Sequence, residues 1–147
     1  TLLAAAGLDR LGGVDVGAVV PLEVMLPSAG QGAIGVETLS DGKARQHVSA
    51  IDDFQTSMCV RTERRFLAHL GAGCHSPVAA LATMVDGSVD LRAELLSPDG
   101  NERIIGREVA RFETIAPEAL AEQLLSGAPQ ALLSCFDFSN VSRVLGS

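Results

Sequence analysis

The chain has 147 residues, is 47% hydrophobic and 20% charged, and carries a formal net charge of −7 at pH 7. That composition supports a packed core and excludes a disordered tail, and the length suits one full domain plus extra segments. The acidic balance, the lack of Trp and Tyr and a total of 5 Phe argue against a nucleic-acid partner, which wants a basic face and stacking platforms.

No apolar run approaches the roughly 20 residues of a membrane span, so no membrane partner is expected. The opening T-L-L-A-A-A-G has neither a methionine nor a charged leader, and reads as neither a signal peptide nor an initiation site. Three cysteines without C-x-x-C spacing fit a reducing, cytoplasmic compartment better than a disulfide scaffold. Three scattered histidines supply no metal motif, and no metal site is expected.

In chain order, Leu2 to Leu11 reads as a short helix closed by Gly12-Gly13, with Arg10 near its end. From the residue alone, Arg10 complements the helix dipole. Val14 to Val20 follows, and Pro21 to Met25 reads as a short extended segment. Glycines on both sides of Gln31 expose backbone N–H groups and admit a ligand, although a lone G-x-G commonly marks only a tight turn. Ala33 to Glu37 then reads as a buried strand.

Ser40 or Asp41 is expected to cap a helix from Lys43 to Ile51, on which His47 is a surface residue. Asp52 or Asp53 caps a longer helix to about Leu70, with Gly71 suited to its left-handed C-terminal position. Cys59 and Cys135 read as packing residues.

The charged helix, the loop Gly71-Ala72-Gly73-Cys74-His75-Ser76 and the strand after Pro77 form the organising stretch. Gly73 removes bulk beside Cys74, so a large group has room to approach the sulfur. A free cysteine is more often a small buried apolar residue, and both readings stand at this level. The preceding helix aims its partly negative end at Cys74 and disfavours a thiolate, with Arg64, Arg65, His69 and His75 the available counterweights. A turnover nucleophile is therefore poorly supported, whereas a sulfur used once against a very reactive electrophile needs no depressed pKa.

An antiparallel meander follows: Val78 to Val85, the turn Asp86-Gly87, Val89 to Leu96, the turn Ser97 to Gly100, and Arg103 to Phe112. In the second strand Val89, Leu91, Ala93 and Leu95 alternate with Asp90, Arg92 and Glu94, which predicts one buried and one wet face. Pro117 opens a helix using Leu120, Leu124 and Leu125 and ended by Gly127, and Ala128 to Cys135 makes one more short helix. Asn140 to Ser147 has little reason to order.

Three of these stretches carry a resemblance. E-R-R-F-L-A-H-L-G-A-G-C-H-S-P-V-A (Glu63 to Ala79), L-P-S-A-G-Q-G-A-I-G-V-E (Leu26 to Glu37) and L-A-A-A-G-L-D-R-L-G (Leu3 to Gly12) resemble segments of the porphobilinogen deaminase (hydroxymethylbilane synthase) family, in that family's order. The match runs to about Cys135 and concerns only the C-terminal part of the family's chain. It implies a transferase that deaminates porphobilinogen and joins the units into hydroxymethylbilane, in tetrapyrrole and haem biosynthesis. It also implies a dipyrromethane cofactor bound by a thioether to Cys74, with Arg10 facing pyrrole carboxylates and Gln31 and Gly32 contacting the cofactor or growing chain.

By the same resemblance the catalytic residues lie in the N-terminal half, so none is expected here, and the complete protein is a monomer. The expected fold is α+β: a C-terminal module with a three-stranded antiparallel sheet covered by helices, preceded by fragments of α/β domains. Its divisions are 1–28, the end of the second α/β domain; 29–51, a segment crossing back to the first; 52–135, the cofactor-carrying module; and 136–147, a tail. Two rivals are a non-catalytic α+β ligand-binding module, and a thiol enzyme pairing Cys74 with His69 or His75.

Overall fold

A computed structural model describes residues 2–13 and 16–136. Its longest helix, α3 (Phe54–His69), starts where Asp53 accepts the Thr56 backbone N–H at 2.8 Å. It stops at Gly71, whose φ of 62° lets the chain reverse. The Gly71 and Ala72 N–H groups donate back to the carbonyls of Ala68 and Leu67 at 3.1 and 3.0 Å, a paired closure that satisfies the helix's last acceptors.

The next turn is equally local in origin. Asp86 and Gly87 have φ of 49° and 76°, the doubly positive geometry that matches the right-handed twist of a two-residue hairpin. It joins β1 (Val78–Val85) to β2 (Ser88–Leu96), and β3 (Arg103–Ala110) completes an antiparallel sheet in the order β1-β2-β3. Ala80, Ala93 and Gly106 stand in register across it. Helix α4 (Pro117–Ser126), with proline in its first turn, packs beside α3 over one face of the sheet. A Cβ on Gly106 would lie 2.8 Å from Leu124 and 2.9 Å from Leu120, so α4 seats directly on the strand backbone there. Phe66, Leu70, Leu91, Leu95 and Leu132 are fully buried in the resulting core, and a short α5 (Gln130–Leu133) adds Leu132 to it.

The second face of β2 departs from the expected wet surface. Asp90 and Glu94 are buried, because arginines on β3 lie across them. Arg107 donates two bonds to Asp90 at 2.8 and 2.9 Å, and Arg103 donates one to Glu94 at 2.6 Å. Alternation reveals which residues share a face but not whether long cations will roof their acidic neighbours.

The Arg107 hydrogen bonds, reinforced by the Arg107 and Arg92 charges and opposed by burial, hold the Asp90 carboxyl below its ordinary value. The native state then binds that proton less tightly than the unfolded chain does. The stabilisation is complete above the ordinary value of 3.8 and is lost as pH falls through the lower folded value. Urea titrations carried from neutral pH into the acid range should show Asp90→Asn less stable at neutrality and with a shallower acid-induced loss than wild type. Equal acid slopes would show that Asp90 does not carry this dependence.

Upstream of the module the expectations are only partly met. Helix α1 (Ala5–Arg10) forms within the expected limits, with no buried residue. Pro21 to Met25 is a turn rather than an extended segment, since the Pro21 carbonyl accepts from both Val24 and Met25. Helix α2 (Ala44–Ser49) has Lys43 at its N-cap with no side-chain bond, so neither Ser40 nor Asp41 caps it. Ala33 to Glu37 forms no strand, and Ile34 and Val36 are 83% and 53% exposed. A strand needs a neighbour to take its N–H and C=O groups, and no described residue supplies one. The tail from Asn140 to Ser147 lies outside the described residues.

Candidate functional site

The loop between α3 and β1 is a tight turn with Cys74 and His75 at its centre. The Ser76 N–H donates to the Gly73 carbonyl at 3.0 Å, and the Gly73 N–H donates to the Ser76 hydroxyl at 3.0 Å. Those two bonds lock the backbone while leaving Cys74 exposed. A Cβ built on Gly73 would meet nothing within 4 Å, so the space beside the sulfur is open. Cys74 is thus not a core residue.

The groups available to activate it are largely committed elsewhere. Arg65 makes a two-pronged pair with Glu118 on α4 at 2.8 and 2.7 Å. His69 Nε2 lies 3.2 Å from Glu122 of the same helix. Burial raises the Glu118 carboxyl, but the Arg65 hydrogen bonds and the Arg65 and His69 charges outweigh it, and the group ends below its usual value. Among the described residues neither histidine hydrogen-bonds Cys74. The base-activated thiol that a cysteine–histidine enzyme needs is not assembled.

The other cysteines behave as packing residues. Cys59 and Cys135 are half-buried against the core. Burial first, then the Glu63 and Asp53 charges, push the Cys59 thiol up, which keeps it protonated and inert.

Gly30 and Gly32 both have positive φ, 74° and 80°, so the Gly30-Gln31-Gly32 loop has a backbone that other residues adopt only under strain. Gln31 and Gly32 are exposed. They line a cleft of about 400 Å³ with Cys59, Glu63, Leu81 and Thr83. A second cleft, about 620 Å³, shares Gly32 and Ala33 with the first, and the exposed Arg61 and Arg64 of α3 line it. Guanidinium groups beside a glycine loop suit an anionic ligand.

Arg10 is exposed in the last turn of α1 and makes no ion pair among the described residues. Cys74 and Arg10 line neither cleft, so the structure groups Gln31 with Gly32 and leaves Cys74 and Arg10 apart from them.

Two site features escaped sequence reading. Arg61 was not singled out by its pattern, and Arg64 read as a counterweight near Cys74 rather than as part of a cleft. Glu63 is buried, and its position was detectable in principle: Cys59, Glu63, Phe66 and Leu70 fall at i, i+4, i+7 and i+11 on one helix face. An acid inside that stripe asks for donors.

What the fold and loops define is an α+β module that presents an accessible thiol on a hydrogen-bonded turn and, apart from it, a glycine loop with arginines in the adjoining cleft. Its ancestry is specific. A family model described as the C-terminal domain of porphobilinogen deaminase matches residues 57–126, and one described as that enzyme's dipyromethane cofactor binding domain matches residues 1–47. The chain belongs to the porphobilinogen deaminase family.

Among curated relatives, the porphobilinogen deaminase of Sphingopyxis alaskensis is 44% identical over 138 residues, covering 92% of this chain and 44% of that protein. That of Chlorobium phaeobacteroides is 37% identical over 142 residues, covering 90% and 45%. That of Moorella thermoacetica is 42% identical over 125 residues, covering 84% and 39%. The chain spans less than half the length of these relatives.

Proposed function

We propose that the complete protein is a porphobilinogen deaminase, and that this chain supplies its cofactor-carrying part. The observation that carries the reading is Cys74, an exposed thiol on a locked turn with open space at Gly73, within a chain of this family. In the attachment step the Cys74 sulfur forms a bond to the methylene carbon of a porphobilinogen unit. The carbon–nitrogen bond breaks, and the nitrogen leaves as ammonia with the thiol's proton. Each later unit would lose one ammonia as its methylene carbon bonds to the free pyrrole position, whose proton would leave with the nitrogen, and water would close the balance on release of hydroxymethylbilane.

The exposed sulfur and the open space at Gly73 suit a dipyrromethane group: Cys74 would hold it, and Arg10, Gln31 and Gly32 would contact its carboxylates or the growing chain where the complete protein brings them to it. When bound, that group supplies the free pyrrole position on which the chain grows. The sulfur is then an anchor, not a participant in each cycle, and among the described residues no histidine hydrogen-bonds it to act as a base. No catalytic acid or base is assigned to this chain, and the catalytic residues belong to the N-terminal half.

That half is the partner we propose for the exposed apolar side chains of the upstream segments, Leu2, Leu11, Val19, Ile34, Val36 and Leu39. The divisions at 28, 51 and 135 belong to the same reading. It also holds the complete protein to be monomeric and cytoplasmic, and the three free cysteines and the lack of a helix long and apolar enough to cross a membrane among the described residues are compatible with that location.

Incubating the complete protein with porphobilinogen should release ammonia and a linear tetrapyrrole; failure to consume porphobilinogen would overturn the reading. Arg10 offers a sharper test because among the described residues its exposed side chain makes no hydrogen bond or ion pair. Arg10→Leu should change stability by less than about 0.5 kcal/mol. A charge-assisted contact to a carboxylate contributes roughly 1.5–3 kcal/mol, so substrate binding or elongation should weaken by about tenfold or more. Normal kinetics in that variant would leave Arg10 only its helix-end role.

A further inference from the structure

Glu63 is 4% exposed, and among the described residues it makes no ion pair. Its two carboxylate oxygens are divided between two remote backbone donors. Oε1 accepts the Ala82 N–H at 2.7 Å, and Oε2 accepts the Gly30 N–H at 2.6 Å. The first donor belongs to β1, an outer strand of the sheet, and the second opens the glycine loop. We propose that Glu63 is a positioning residue, the carboxylate that fastens the Gly30-Gln31-Gly32 loop to α3 and β1 and so sets where Gln31 and Gly32 meet a ligand.

The loop needs such a fastening. Its own turn bonds, Gln31 N–H to Ser28 and Ala33 N–H to Gly30, are both long at 3.3 Å. Its two glycines have wide conformational freedom, and the chain beyond it has no regular structure and is largely exposed. Upstream, Leu26 is buried and Ala29 touches the core, and among the described residues Gly30 makes the segment's last hydrogen bond to the module.

A carboxylate is the suitable group because both oxygens accept. Gln in its place would accept one N–H and aim its own NH2 at the other, leaving a buried donor without a partner. Asp, one methylene shorter, would not span both donors.

The ligand side of this proposal rests on the function proposed above, whereas the fastening itself does not. Hydrogen exchange read by mass spectrometry on the complete protein separates the two. In wild type, residues 28–32 should exchange at least about tenfold more slowly than residues 34–37, whose N–H groups have no acceptor among the described residues. In Glu63→Gln, exchange of 28–32 should accelerate by about tenfold while β2 and β3 stay protected. The KM for porphobilinogen should rise by about tenfold with kcat changed by less than about threefold.

Equal rates for the two wild-type segments would overturn the proposal without recourse to any variant. Loss of protection across all three strands in Glu63→Gln would overturn it too, by making Glu63 a residue of the fold as a whole. Faster loop exchange with unchanged KM would reject the positioning role. If the wild-type protein does not consume porphobilinogen while the exchange pattern holds, the proposed function fails and the fastening stands.

Discussion

Cys74→Ala in the complete protein is expected to abolish both the covalent adduct and the turnover. Intact-mass measurement of wild type should show an addition equal to two porphobilinogen units less two ammonias, mapped to Cys74, and the variant should show none. The chemistry gives no alternative anchor: among the described residues Cys59 and Cys135 are packed against the core, and the Cys59 thiol is pushed toward its protonated form. Cys74→Ser should retain at most a trace, since oxygen is the poorer nucleophile.

Folding should survive both changes, because Cys74 is exposed and the turn is held by Gly73 and Ser76. Replacing Cys59 or Cys135 by Ala should cost only packing and leave the adduct in place. An unmodified Cys74 in active enzyme, or full activity in Cys74→Ala, would refute the attachment.

The largest effect on stability is expected at Phe66. Its side chain has no exposed surface and lies on α3 in the core that also holds Leu91 of the central strand and Leu124 of α4. Phe66→Ala removes that volume from the core and should cost about 3–5 kcal/mol. Against a total of about 5–15 kcal/mol for an ordinary domain, the variant would be close to unfolding. Urea denaturation should show a lower midpoint with an unchanged slope. A loss below about 1 kcal/mol would mean that the core collapses around the gap, and would contradict the packing described.

Much of the module was legible in its residues because the signals are local. Gly71 ends a helix through its own φ, and Asp86-Gly87 turns a hairpin through two adjacent dihedrals. Pro117 and Asp53 act within one turn of themselves. What escaped was non-local. Glu63 is explained only by N–H groups 33 and 19 residues away, and no periodicity reports those. Asp90 and Glu94 alternate as wet residues should, yet arginines of the neighbouring strand cover them. The apolar run from Ala33 to Glu37 has the composition of a strand, but pairing is a property of two segments.

Within the site, Cys74 was separable from the packing cysteines by its glycine neighbour. Exposure removes the packing reading of Cys74, while Gln31 and Gly32 owed their selection to the wider motif.

The meander has a consequence for the order of events in making the enzyme. Every strand pairs only with its neighbour in the chain, and the helix before the sheet and the helix after it meet over the same face. Contacts between segments close in sequence cost little loop entropy and form early. The turn bearing Cys74 joins two of those segments, so its shape arises with the module. Under the attachment proposed above, maturation would be a reaction of a finished surface, and a protein without its pyrroles would be a folded intermediate.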